Sequence, residues 1–243
     1  MHIQISDLVK TFGDKMAVDI PGFTINSGDI LGLVGNNGAG KTTLFRLMLD
    51  LIKADGGHIA MQWTAADGTQ AEADPSQSED WKAATGAYID DGFLIDFLTP
   101  EEYFHFTGKV NGLTEQETDE RLAGFANFMN GEILGQRKLI RNLSAGNRQK
   151  TGIIAAMLNR PSLLVLDEPF NFIDPSSQHH LKQLLADYHQ QTGATILISS
   201  HNLAHTVGMS TRIALLEGGR IIKDLPGAGD NAAKELEDYF NLQ

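Results

Sequence analysis

The stretch Gly35-Asn36-Asn37-Gly38-Ala39-Gly40-Lys41-Thr42-Thr43 constrains the fold more than any other part of the chain. An apolar run, Ile30-Leu31-Gly32-Leu33-Val34, leads into it, and Leu44, Leu47, Met48 and Leu51 follow at helical spacing. The pattern predicts a buried strand, a glycine-rich turn and a helix start. Its glycines let the backbone fold around an anion so that successive N–H groups converge on it, and the helix start adds its positive dipole end. Lys41 can then reach the β- and γ-phosphates of a nucleotide, and the Thr42 hydroxyl can ligate Mg²⁺. An ordinary strand-to-helix turn that happens to carry a lysine explains the spacing less well, because four residue types and both flanks agree on a phosphate cradle.

Composition narrows the partners. A chain of 243 residues, 42% hydrophobic, is long enough for a sizeable core in one globular unit with room for a subdomain. A net charge of −12 argues against holding nucleic acid or anionic lipid through bulk charge, so membrane contact is expected to pass through a protein partner. Cysteine is absent, which removes disulfides, thiolate metal sites and thiol nucleophiles and suits a reducing cytosol. The N-terminal residues lack the basic start and apolar stretch of a signal peptide, and no apolar run reaches the ~20 residues of a membrane span. A protein soluble by itself is expected.

Alternation in residues 2–9 and the run Phe23-Thr24-Ile25 predict an antiparallel β layer before the phosphate loop. A further strand is expected over His58 to Thr64, with polar residues 66–80 as an exposed hairpin tip or loop. From Thr99-Pro100-Glu101-Glu102 the pattern turns helical, with a second helix start at Leu113-Thr114-Glu115-Gln116-Glu117, and this block runs to about Asn159. Phe104, Phe106, Phe125 and Phe128 are expected in its core. Leu163-Leu164-Val165-Leu166 and Thr195 to Ser200 read as strands buried on both faces of a mainly parallel sheet, joined by a helix over Ser176 to Gln191. Glu217-Gly218-Gly219 between apolar runs marks a hairpin, and Leu236, Tyr239 and Phe240 a short docked helix.

The strand at 163–166 ends in Asp167-Glu168. A carboxylate at that end, beside a phosphate loop, can hold Mg²⁺, and the next residue can polarise a water. Asp167 is assigned to the metal and Glu168 to the attacking water.

Here the chain resembles the nucleotide-binding ATPase subunits of ABC (ATP-binding cassette) transporters. Leu143-Ser144-Ala145-Gly146-Asn147-Arg148-Gln149-Lys150 is similar to that family's signature loop, upstream of Asp167-Glu168 as the family requires. His201 stands where the family has its switch histidine, Phe170-Asn171-Phe172-Ile173-Asp174 at its D-loop, and Phe12 where an aromatic ring stacks on adenine. The resemblance implies an α/β phosphate-loop ATPase core with a mainly parallel sheet, an antiparallel β layer and an inserted helical subdomain. It places the core at 1–91 and 161–243 and the helical subdomain, with the signature loop, at 92–160. It implies ATP and Mg²⁺ as ligands, with Lys41, Glu168 and His201 in catalysis. Two copies, expected to be identical, would pair head to tail, so that Ser144 and the Gly146 backbone of one cap the γ-phosphate on the other. A separate transmembrane permease would hold the pair on the inner face of the cell membrane.

Some residues depart from the family pattern. Ala145 and Asn147 replace a glycine and a glutamine of the signature, in a form similar to the drug and peptide exporter branch. Asp91 stands where a glutamine is usual, with Leu98-Thr99 following as in exporters; it is expected near Mg²⁺, adding charge where an amide was neutral. Two other functions share these motifs: a soluble ATPase that remodels a cytosolic complex, and a nucleotide-dependent regulator with little hydrolysis. His201 and His205 invite a zinc reading, but Asn202 replaces the needed glutamate and no third ligand follows.

Overall fold

A computed structural model describes residues 1–65, 67–226, 234–236 and 239. The chain opens with a long hairpin, β1 (His2–Phe12) and β2 (Lys15–Ile25), then enters β3 (Ile30–Val34), whose residues are all buried. The phosphate loop follows and leads into α1 (Lys41–Met48). β4 (Gly56–Thr64) and β5 (Gln70–Ala73) complete an antiparallel sheet in the order β2-β1-β4-β5. β6 (Thr85–Tyr88) precedes the helices α2 (Pro100–Val110), α3 (Glu115–Ala123), α4 (Ala126–Met129) and α5 (Ala145–Leu158). The chain closes with β7 (Leu163–Leu166), α6 (Pro175–Thr192), β8 (Thr195–Ser200), α7 (Leu203–Thr206), β9 (Arg212–Glu217) and β10 (Arg220–Pro226). The second sheet runs β10-β9-β3-β8-β7-β6, parallel except for the final hairpin, so the expected mixed α/β architecture is present.

Side-chain alternation puts a core on each face of this second sheet. Leu163, Val165 and Leu197 point toward α1 and the antiparallel layer, joining Ile3, Ile20, Phe45 and Met61. Leu164, Leu166, Ile196 and Ile198 point the other way, against Phe104, Ile154 and Leu181 of the helices. The helix starts are local in origin: Thr99 with Glu102 and Thr114 with Glu117 each form a reciprocal capping box. α5 lies close on β6, where a Cβ at Gly152 would stand 2.2 Å from the Tyr88 ring. Only glycine fits at that crossing.

The structure adds to the expected elements. β2 begins at Lys15, ahead of the Phe23 run, through its pairing with β1; its exposed first residues and the Pro21-Gly22 interruption hide this part from the apolar pattern. The polar stretch 66–80 contains β5, an edge strand with one buried residue, Ala73. β6 is short and glycine-containing, and the sequence pattern does not announce it. The helical block is broken between Met129 and Ser144 by irregular chain and one tight helical turn, Ile140–Asn142. Phe104, Phe125 and Phe128 are buried as expected, but Phe106 is 49% exposed, since it lies on the outer side of α2. Leu236 is buried against Val34, Ile213 and Leu215 with Tyr239 beside it, whereas Phe240 of the expected tail helix lies outside the described residues. Among the described residues no helix is long and apolar enough to cross a membrane.

Candidate nucleotide-binding site

The phosphate loop is pressed onto the backbone of the N-terminal hairpin. Gly40, at φ 113°, is the last residue before α1, and a Cβ there would meet the Ala17 carbonyl oxygen at 2.3 Å. A side chain is excluded both by this approach and by the positive φ. Helix geometry starts at once, with Leu44 N–H donating to Gly40 O at 2.8 Å. Lys41, only 6% exposed, donates through Nζ to Gly35 O at 2.7 Å and Asn36 O at 3.3 Å, and lies 3.4 Å from Glu168 Oε1. A cleft of about 260 Å³ opens over this loop, lined by Asn37, Gly38, Ala39, Gly40, Lys41, Thr42, Thr43 and Glu168. Phe12 stands at it, 54% exposed, with the Lys10 ammonium over its ring at 5.4 Å from the centroid. Lys15 also lines the cleft. It offers a second cation that sequence spacing gave no means of placing.

Thr42 Oγ1 donates to Asp167 Oδ2 at 2.5 Å, which joins the loop helix to the end of β7. Asp167 Oδ1 accepts from the Ser199 hydroxyl, and Ser199 Oγ accepts from Glu168 N–H at 2.8 Å. Ser199 therefore fixes both acidic residues from the neighbouring strand, a role that its place in an apolar run conceals. Burial raises the pKa of Asp167, opposed by the Ser199 and Thr42 hydroxyls; the nearby Glu168 charge raises it further, and Lys41 lowers it. A buried carboxylate and a hydroxyl, both hard oxygen donors, suit Mg²⁺, and the pair fits that ion.

Glu168 adopts φ 47°, a left-handed conformation rarely taken by non-glycine residues and concentrated at functional sites. Its Oε2 accepts from His201 Nδ1 at 2.8 Å, and its carbonyl accepts from Gln149 Nε2 at 3.0 Å. Lys41, Thr42, Asp167, Glu168 and His201 are thus one connected network. His205 is not part of it: its ring stacks on Phe170 with centroids 5.0 Å apart.

Ser144 caps α5, its Oγ accepting from Asn147 N–H at 3.2 Å, and is exposed. Gly146 packs on the D-loop, where a Cβ would lie 2.6 Å from Phe172 O. Neither residue lines the phosphate cleft of its own chain. Asp91, expected near the metal, opens on a second cavity of about 470 Å³ that Asp167 and Glu168 also line, but its carboxylate is held by Arg148 Nε at 2.8 Å. Thr42 and Asp167 are the oxygen donors that the structure brings into contact.

A glycine cradle on a helix start, a buried lysine and a paired Asp-Glu at a strand end define a phosphate-loop nucleoside triphosphatase. A family model described as "ABC transporter" matches residues 18–171, and the chain belongs to that family. It is an ATP-binding, ATP-hydrolysing ABC subunit. Among its relatives, the uncharacterized ABC transporter ATP-binding protein YhcH of Bacillus subtilis is 28% identical over 98% of this chain and 74% of its own length. The methionine import ATP-binding protein MetN of Rhizobium johnstonii is 29% identical over 91% of this chain, which spans 60% of MetN. The bacitracin transport ATP-binding protein BcrA of Bacillus licheniformis is 29% identical over 99% of this chain and 74% of BcrA. A solved ATP-binding subunit of an ABC transporter superposes with a TM-score of 0.79 at 25% identity, covering 98% of this chain and 94% of that one. A bacterial ABC transporter cassette solved as a dimer shares the fold at 20% identity, with a TM-score of 0.76 over 92% of this chain and 98% of that one.

Proposed function

We propose that two copies of this chain pair head to tail around two ATP molecules and drive a separate membrane permease, in the direction of export. The observation that carries this reading is the placement of Ser144 and Gly146: exposed Ser144 and half-buried Gly146 open a helix suited to an anion, yet lie outside the phosphate cleft of their own chain. A second copy supplies the missing γ-phosphate. In each composite site the backbone N–H groups of residues 35–43 would hold the phosphates, Lys41 would reach the β- and γ-oxygens, and Phe12 would stack on the base. Mg²⁺, held by Thr42 and Asp167, would offset negative charge on the phosphates. Glu168 would orient and polarise the attacking water, with His201 keeping its carboxylate aimed. The catalytic core would comprise 1–91 and 161–243, and the helical subdomain 92–160 would pass motion to the permease.

Exposed Phe93, Phe97, Phe106 and Val110 support a permease-facing surface in that region, and Phe106 and Val110 share one face of α2. The complex would sit on the cytoplasmic face of the membrane. MetN is named for import and BcrA for bacitracin transport, so export rests on the exporter-like signature and Leu98-Thr99. ATP-driven uptake of a candidate substrate into inside-out vesicles containing the chain and its permease tests the direction. Uptake confined to right-side-out vesicles supplied with internal ATP would reverse it.

A further inference from the structure

The segment leaving β6 carries two adjacent carboxylates that the structure sends to different helices. Asp90 Oδ2 accepts from Arg46 Nη2 of α1 at 3.0 Å, and Asp91 Oδ2 accepts from Arg148 Nε of α5 at 2.8 Å. Arg148 simultaneously donates through Nη1 to Leu143 O at 2.9 Å, and its backbone N–H donates to Ser144 O at 2.9 Å. One guanidinium thus ties Asp91 to the carbonyl just before the signature serine. Its planar fork fixes direction as well as distance. The chain from Asp90 to Asp91 links the helix of the phosphate loop to the tip of α5 through two ion pairs. The side chains of these pairs are 29–52% exposed, so each contact is weak and breaks at little cost.

From this geometry we infer that Asp91 is a positioning residue for turnover: through Arg148 it sets where the Leu143-Ser144 end of α5 stands relative to the phosphate loop. The inference deepens the head-to-tail reading and rests on it. Capture of ATP by one copy uses the cleft over residues 37–43 and does not involve Asp91. Delivery of Ser144 to a second copy does. Losing the pair should therefore lower kcat and ATP-induced dimerisation while leaving the first binding step unchanged.

The test uses the full chain with Asp91→Asn, Arg148→Gln, and the charge-swapped double variant Asp91→Arg/Arg148→Asp, each confirmed folded by circular dichroism. Steady-state ATPase gives kcat and KM, a fluorescent ATP analogue gives the single-copy affinity, and light scattering of the same variants carrying Glu168→Gln gives ATP-induced dimerisation. Each single variant is expected to lose about fivefold in kcat, a modest coupling between sites, with analogue affinity within about twofold. The double variant is expected to recover part of the loss, because the two residues act on each other, and not all of it, because a carboxylate at position 148 cannot donate to Leu143 O. Native kcat in the single variants, or purely additive losses in the double variant, would overturn the inference. If Glu168→Gln alone fails to dimerise with ATP, the head-to-tail reading itself falls. Failed rescue in a chain that does dimerise removes only the role of Asp91.

Discussion

The phosphate loop and the 143–148 region that we propose completes its site in a second copy are built differently. The loop is locked by backbone: Gly40 lies against Ala17, Lys41 is buried under loop carbonyls, and Thr42 meets Asp167. The tip of α5 also packs on backbone at Gly146, but its link to the 90–91 segment is a surface ion pair, Asp91 to Arg148, and that segment's link to α1 is another, Asp90 to Arg46. Packed backbone has one arrangement, whereas solvated pairs break at little cost. We propose that nucleotide binding rests on the backbone-locked loop and adjustment on the solvated pairs.

Perturbations of the two halves should differ in size. Glu168→Gln keeps the shape of the site and removes the carboxylate, so turnover should fall by roughly 10³-fold, within the usual range for a positioned base, while ATP binding persists. Equilibrium binding measured beside single-turnover hydrolysis checks it. Gly40→Ala forces a Cβ onto Ala17 O and should destabilise the fold by about 2 kcal/mol or more through strain and overpacking, with loss of ATP affinity; urea denaturation with and without Mg-ATP measures both. Arg148→Gln, by contrast, should leave the unfolding free energy within about 0.5 kcal/mol of native, as expected for an exposed pair. Equal destabilisation by Gly40→Ala and Arg148→Gln would erase the contrast.

The smallest effect concerns the stacking end of β1. Asp55 is held down to about 2 by the Lys10 ammonium and by the Thr11 backbone and hydroxyl, next to Phe12. A depressed carboxyl contributes stability above its ordinary value, and that contribution is lost as pH falls from about 4 toward 2. Carboxyl carbon NMR should show Asp55 titrating well below a free aspartate, and Lys10→Ala should move it back up.

What the sequence disclosed follows from how local each signal is. The glycine cradle, the Asp167-Glu168 strand end and the capped helices are written in consecutive residues, so both their identity and their place could be read. β5 and β6 are defined by their partners and carry little pattern of their own. Ser199 looked like part of a buried strand because its partners, Asp167 and Glu168, lie on another. The charge at Asp91 pointed toward a metal, but Arg148, far along the chain, claims it. Pairings across such separations are set by the fold, which no local pattern records.

Cysteine is absent from the chain, so introduced thiols report contacts without background. Asn37→Cys and Ala145→Cys, placed in separate copies carrying Glu168→Gln, should be joined by a short bismaleimide into a cross-linked dimer when Mg-ATP is present and not when ADP replaces it. Bound ATP without any joined pair would contradict a nucleotide shared between two copies.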